Sequence, residues 1–319
     1  MRIVVAGAAG LLGGHVVEEA ARHDTEVVAL VPAADGAAWA AGVGATVVVC
    51  APADPAAAAA HLVELLSTAD FLVNAPLPGQ DHVAATTALL DAALRAQETL
   101  RGVVQLSSTR TYGHRLPHWP IDESWVARPD GPEMEALAAA ERAARTYRRL
   151  PLVVLRAAPA FGPRDGGEMR RLLEHFVAVR RPRLPGGGRA GLSLAYGPDF
   201  GRAVWAVLEA FDEAQGRTLH CKTIDSDWRT LVGQARALRD RPRRVYPVPL
   251  WLARGLERFG APGRRLLDGP PGVERYADLT GRPHLIDDTL LRGLTGFAPL
   301  FGLGAALRHT IALESGASG

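Results

Sequence analysis

Lysine is almost missing from this chain. Of its 36 lysine and arginine residues only Lys222 is a lysine, so almost no position can carry the amine on which lysine-assisted catalysis depends. With so much alanine, glycine and proline beside it, the bias reads as that of a GC-rich genome. Cysteine is nearly as scarce. Cys50 and Cys221 stand alone without metal-ligand spacing, consistent with a reducing interior, and no metal site is expected. No apolar run approaches membrane-spanning length and the first residues read as a strand rather than a leader, so a cytoplasmic protein with no membrane partner is expected. Net charge is only +2. Acids are scattered among the bases, and clusters such as Arg239 to Arg244 read as solvated faces, so no nucleic-acid partner is expected. What is left is 319 residues of ordinary globular composition, 48% hydrophobic and 22% charged, long enough for one large core or a core domain and a smaller one.

Ile3-Val4-Val5-Ala6 reads as a buried strand, followed at once by Gly7-Ala-Ala-Gly10-Leu-Leu-Gly13-Gly14 and a helix running to about Arg22. Glycines at that point permit a tight turn and let helix-terminal amides approach a diphosphate. The spacing is GxxGxxG rather than GxGxxG, and the strand before and helix after give it meaning. Further strands are expected at Glu26–Val31, Thr46–Val49, Phe71–Pro76 and Leu152–Arg156, alternating with helices at Pro55–Leu66 and His82–Ala96. This rhythm predicts an α/β fold, a doubly wound parallel sheet of the Rossmann kind with right-handed crossovers. Past Asp165 the rhythm changes. Expected there are a helix over Asp199–Phe211, a strand over Thr218–Lys222, and helices over Asp227–Arg239 and Leu250–Phe259. Residues 1–165 then form the dinucleotide-binding part, completed by segments around 199–224, and 166–319 a smaller mixed α/β substrate part.

The stretch from Val103 to Glu141 carries the chemistry. Val103-Val-Gln-Leu-Ser107-Ser108 reads as a buried parallel strand delivering hydroxyls to a crevice. Tyr112-Gly113 follows, and after a loop a helix opens at Pro132, setting Glu133 and Leu137 on one face.

Together the glycine turn, Leu106-Ser107-Ser108 to Tyr112-Gly113, and Leu155-Arg156 to Phe161-Gly162-Pro163 resemble the extended short-chain dehydrogenase/reductases, the NAD-dependent epimerase/dehydratase branch. Tyr196-Gly-Pro-Asp199 and Leu294 to Pro299 add to the likeness, which covers nearly the whole chain. It implies NAD or NADP as cofactor, a small-molecule substrate and a homodimer through the helices near 82–96 and 132–149. It also implies a dinucleotide site made of Gly7, Gly10, Leu11, Leu12, Gly13, Pro32, Ala51, Asn74, Ala75, Pro76, Ser107 and Ala158. Around the substrate it sets His82, Thr109, His114, Trp119 and Arg164.

Members of that family work with a Ser/Thr, which Ser108 matches, and a Tyr-xxx-Lys pair on the next helix. The family's register puts Glu133 where the tyrosine belongs and Leu137 where the lysine belongs. The adenine-binding aspartate position falls on Ala51, and the arginine position of sugar-nucleotide members on Leu192, which disfavours a nucleotide sugar. The strand ending at Val31 is followed by Pro32, neither the acid of an NAD enzyme nor the arginine of an NADP enzyme, and Asp35 lies past the strand end.

The expected catalytic set is Ser108, Glu133 and Tyr112. The leading reading is a redox-neutral acid–base reaction (isomerisation, dehydration or cyclisation) on a small organic molecule of specialised bacterial metabolism. A carboxylate in a partly apolar pocket would move the proton, and Ser108 would steady the oxyanion. Two alternatives stay open: an NAD(P)-dependent reductase or epimerase with a substituted proton donor such as Tyr112, and a catalytically inactive NAD(P)-binding sensor.

Overall fold

Along β1 (Arg2–Ala6) successive residues enter opposite cores: Ile3 and Val5 pack into one, Val4 and Ala6 into another. The same division runs through β2 (Glu26–Val31) and β4 (Phe71–Asn74), where Val27, Ala29, Phe71 and Val73 take the first side and Val28, Leu30 and Leu72 the second. A strand apolar on both faces is stable only with helices on both faces, which is why these runs read as unbroken hydrophobic stretches. The computed structural model behind this description covers residues 1–319 except 34–36, 50–54, 117, 268, 270–272, 274 and 317–319.

With β3 (Thr46–Val49), β5 (Gly102–Ser108), β6 (Leu152–Ala157) and β10 (Thr218–Cys221), these strands form a seven-stranded sheet in the order β10-β6-β5-β4-β1-β2-β3. Every neighbouring pair is parallel. Helices α1 (Leu11–Ala20), α2 (Ala37–Gly42) and α7 (Gly197–Glu209) cover one face; α3 (Pro55–Leu66) and α4 (His82–Arg95) cover the other, with α5 (Pro132–Ala144) alongside α4. This is the doubly wound Rossmann architecture expected. Strand order reverses between β1 and β4, and a crevice opens there beyond the strands' carboxyl ends.

The rest of the chain adds β7 (Ala160–Phe161), α6 (Glu168–Ala178), β8 (Arg183–Pro185), β9 (Gly191–Tyr196), α8 (Phe211–Ala214), β11 (Ile224–Asp227), α9 (Trp228–Ala237) and β12 (Tyr246–Val248). Then come α10 (Leu250–Glu257), α11 (Ala261–Leu266), α12 (Tyr276–Gly281), α13 (Thr289–Thr295) and α14 (Leu303–Gly316). A separate core around Phe176, Leu194, Trp228, Leu231 and Tyr276 holds this part together. Buried Asp199 ties the end of the chain back to α7 by accepting the amides of Leu300 and Phe301 at 2.9 and 3.0 Å.

Two expectations about elements are corrected. The helix carrying Glu133 ends at Ala144, so Tyr147 lies in the turn beyond it, its hydroxyl donating to Asp91 Oδ1 at 2.7 Å. Between Asp165 and Asp199, where no element is expected, lie α6 and β9, whose apolar residues fill the second core. Among the described residues no helix is long and apolar enough to cross a membrane.

Candidate active site

At the mouth of β1, Gly7 takes φ +75°, and a Cβ there would lie 1.8 Å from the Ala75 carbonyl oxygen. A Cβ on Gly13 would lie 2.3 Å from the Gly7 carbonyl oxygen. The turn is therefore closed to side chains, and α1 begins flush against it. Gly10 caps α1 without a side-chain bond and its first turn holds no acid. The leading amides, which have no acceptor within a helix, belong to Leu11, Leu12 and Gly13, residues that line the crevice at the positive helix end. This cradle suits a diphosphate.

A cleft of about 500 Å³ runs from this turn across the sheet. Gly7, Gly10, Leu11, Leu12 and Gly13 line it, as do Ala75, Pro76, Ser107, Ser108, Glu133, Leu137, Ala158 and Arg164. Most of the expected cofactor residues thus meet in one place. Pro32, Asn74 and His82 line a smaller hollow beside it, together with Gly7, Ala75 and Pro76. Ala51 and Asp35 lie outside the described residues.

Ser108 ends β5 and its Oγ accepts the Arg110 amide at 3.2 Å; among the described residues its own proton is donated to no group. Glu133 stands in the first turn of α5, exposed at the cleft's edge rather than enclosed by apolar groups as expected. Its charge reaches His82. Burial lowers the pKa of that imidazole, and Glu133 and then Asp81 oppose the shift. Leu137 faces the same cleft one turn on.

Tyr112 is placed elsewhere. It does not line the cleft; it is buried, accepting from Arg156 Nη1 at 2.5 Å. His220 Nδ1 donates to the Asp287 carbonyl at 3.1 Å, leaving Nε2 to accept the Tyr112 hydroxyl at 2.7 Å. Burial pushes the phenol up to about 12, outweighing Arg156, and pushes His220 down to about 4, helped by Arg156. Arg156 is also held by Glu141 through Nε at 2.9 Å and Nη2 at 2.6 Å, and Glu141 accepts Ser107 Oγ at 2.5 Å. The chain Ser107–Glu141–Arg156–Tyr112–His220 is a satisfied buried network that fixes the strand ends, because breaking any link strands a charge or a polar atom.

The remaining substrate-side residues scatter. Thr109 is buried against His284 Nε2 at 3.0 Å, and Trp119 is 50% exposed and away from the cleft. His114 pairs Nδ1 with Asp130 Oδ1 at 2.9 Å and lines a hollow of about 20 Å³, which shares Arg110, Pro159 and Leu279 with the cleft. Arg110, ion-paired with Glu168, lines the cleft although the sequence reading passed over it. Its place two residues after Ser108 was the available signal.

A model of the NAD dependent epimerase/dehydratase family matches residues 3–221. The chain belongs to that family. Among solved structures it resembles the UDP-glucose 4-epimerase of Thermotoga maritima with UDP-glucose, at 16% identity over 100% of both chains and a TM-score of 0.77. The UDP-glucuronic acid 4-epimerase of Bacillus cereus with NAD is similar at 16% identity over 100% of both chains, TM-score 0.76. The dTDP-glucose 4,6-dehydratase of Bacillus anthracis with NAD is similar at 16% identity over 99% of this chain and 97% of that one, TM-score 0.75. At these identities the likeness is one of fold. No curated protein sequence matches the chain. The family is NAD dependent, and the glycine cradle with its uncapped, acid-free helix start fits the dinucleotide's diphosphate.

Proposed function

We propose that this member of the epimerase/dehydratase family catalyses a redox-neutral acid–base reaction, an isomerisation, dehydration or cyclisation of a small organic molecule. One observation carries the reading: among the described residues the cleft is lined by neither tyrosine nor lysine. Tyr112 is committed to Arg156 and His220, and Lys222, which does not line the cleft, is paired with Asp225 at 2.7 Å. Of the carboxylates lining the cleft, Glu168 is ion-paired with Arg110 and Asp165 accepts the Gly167 and Arg170 amides, and of its serines Ser107 donates to Glu141, so the acid–base reading rests on Glu133 and Ser108.

Glu133 takes a proton from carbon next to a carbonyl. The charge that develops on the carbonyl oxygen is met by the Ser108 hydroxyl, whose oxygen accepts from the Arg110 amide and whose proton goes to no other group among the described residues. The proton returns to another carbon or leaves with an oxygen. NAD, when bound, supplies hydride exchange in the family; in this reading it orders the cleft, held by the glycine turn, with Ser107 and Ala158 on the far wall. The protein is proposed to work as a homodimer through α4 and α5.

The test is Glu133→Gln. Small molecules of a cell extract are incubated in deuterium oxide with either protein and followed by mass spectrometry. The parent protein should label or convert a species, and the variant should be slower by roughly a hundredfold or more, the usual worth of a positioned proton carrier. Equal rates would remove Glu133 from the mechanism.

A further inference from the structure

We propose that Arg164 is a clamp on the diphosphate of the dinucleotide, an inference that rests on the reading that the glycine turn holds NAD. The residue lies in the loop after β7 with φ +64°, a left-handed conformation that arginine adopts only when its surroundings impose it. Three contacts impose it. Glu18 on α1 forms an ion pair with Nη1, the guanidinium carbon sits 4.2 Å above the Trp39 ring, and the neighbouring Pro163 carbonyl lies 3.2 Å from His15 Nε2. His15 in turn bonds Glu18 at 2.7 Å.

Gly14 explains the route the side chain takes. It is not one of the three glycines of the turn, and a Cβ on it would come 3.0 Å from Arg164 Nη2. The Cβ direction on a helix leans toward the N-terminus, so the space left free beside Gly14 adjoins the open amides of α1. Arg164 lines the same cleft as Gly10, Leu11 and Leu12. Its side chain is one-third exposed, and Glu18 engages Nη1 alone; among the described residues Nε and Nη2 donate to no other group.

The charges are arranged accordingly. Glu18 stays ionised, its carboxyl held down to about 2 by His15 and Arg164 against the upward push of burial. It therefore neutralises Arg164 until a stronger anion arrives. A diphosphate at the helix start offers paired oxygens matched to the guanidinium's remaining donors, a geometry that ammonium groups do not reproduce. In a chain with one lysine, the cation opposite the diphosphate is an arginine brought across from β7.

Calorimetric titration of the full-length protein tests this. For Arg164→Gln, binding of NAD and of ADP-ribose, which share the diphosphate, should weaken by roughly tenfold or more, the worth of a charge-assisted contact, and adenosine binding should not change. Arg164→Lys should recover part of the loss. Should Arg164→Gln fail to fold in a melting experiment, Trp39→Leu, which removes the ring beneath the guanidinium, should weaken NAD several-fold. Unchanged NAD affinity in a folded Arg164→Gln would overturn the clamp alone. Weakening confined to NADP would also overturn it, by assigning the charge to a 2′-phosphate. Absence of NAD binding by the parent protein would overturn the clamp together with the dinucleotide reading.

Discussion

The Tyr112 hydroxyl lies 2.7 Å from His220 Nε2 and 2.5 Å from Arg156 Nη1. A phenol so engaged helps hold the fold together, and in the proposed mechanism it takes no part in the chemistry of the cleft. Tyr112→Phe should therefore lower stability by roughly 1–3 kcal/mol, because it leaves a guanidinium N–H and an imidazole nitrogen buried without a partner. NAD affinity should be unaffected. Thermal melting and calorimetry report the two quantities separately, and loss of turnover in a still-folded variant would return Tyr112 to the mechanism.

Acid should weaken the protein through its buried histidines. Burial takes His220 from 6.5 down to about 4, with Arg156 adding to it, and takes His284 from 6.5 down to about 3, with Arg110 adding to it. The unfolded chain protonates first as pH falls. The stabilisation is therefore complete above pH 6.5 and is lost progressively toward pH 4 and below. Urea melts across this range should show the decline. Replacing His220 by glutamine should make the slope shallower by roughly 1.4 kcal/mol per pH unit.

Leu137 lies one helical turn from Glu133 and faces the cleft. Leu137→Lys should place an ammonium beside the ribose of a bound dinucleotide and tighten NAD by roughly tenfold, the worth of one charge-assisted hydrogen bond. Calorimetry decides it. Unaltered affinity would mean that position 137 does not reach the ribose.

Gly7→Ala should be poorly tolerated. The new methyl would meet the Ala75 carbonyl oxygen at 1.8 Å in a backbone already at φ +75°, a strain and collision costing more than about 2 kcal/mol. Lower soluble yield and a depressed melting temperature are the expected readings. A variant as stable as the parent would show that the turn adapts.

The sheet was legible because fully buried parallel strands write themselves as apolar runs: β2 and β3 fall on the residues expected, Glu26–Val31 and Thr46–Val49. The crevice was legible through Gly7, Gly10 and Gly13, whose spacing answers to a backbone need. α6 escaped notice although Met169, Leu172 and Phe176 recur at helical spacing, because the glycines and prolines flanking it dominate the local composition. The direction of Arg164 could not be read at all. Nothing in a sequence announces that an arginine is left-handed; the family likeness implies a substrate residue, and the structure pairs it with Glu18 of α1 at the cleft's wall. Likewise Glu133 shares a face with Leu137 as spacing dictates, but its exposure depends on how far neighbouring loops extend.

Strand β10 comes from residues 218–221, yet it closes the edge of the sheet by pairing with β6, Leu219 opposite Leu155. A gene fragment cut where the sequence rhythm changes, after residue 165, would encode a protein whose β6 has an unsatisfied row of amides and carbonyls beside apolar side chains, a template for intermolecular pairing. Its predicted fate is inclusion bodies. The nucleotide-binding half is thus not a portable module, and any expression or fusion strategy must carry the chain at least through Cys221.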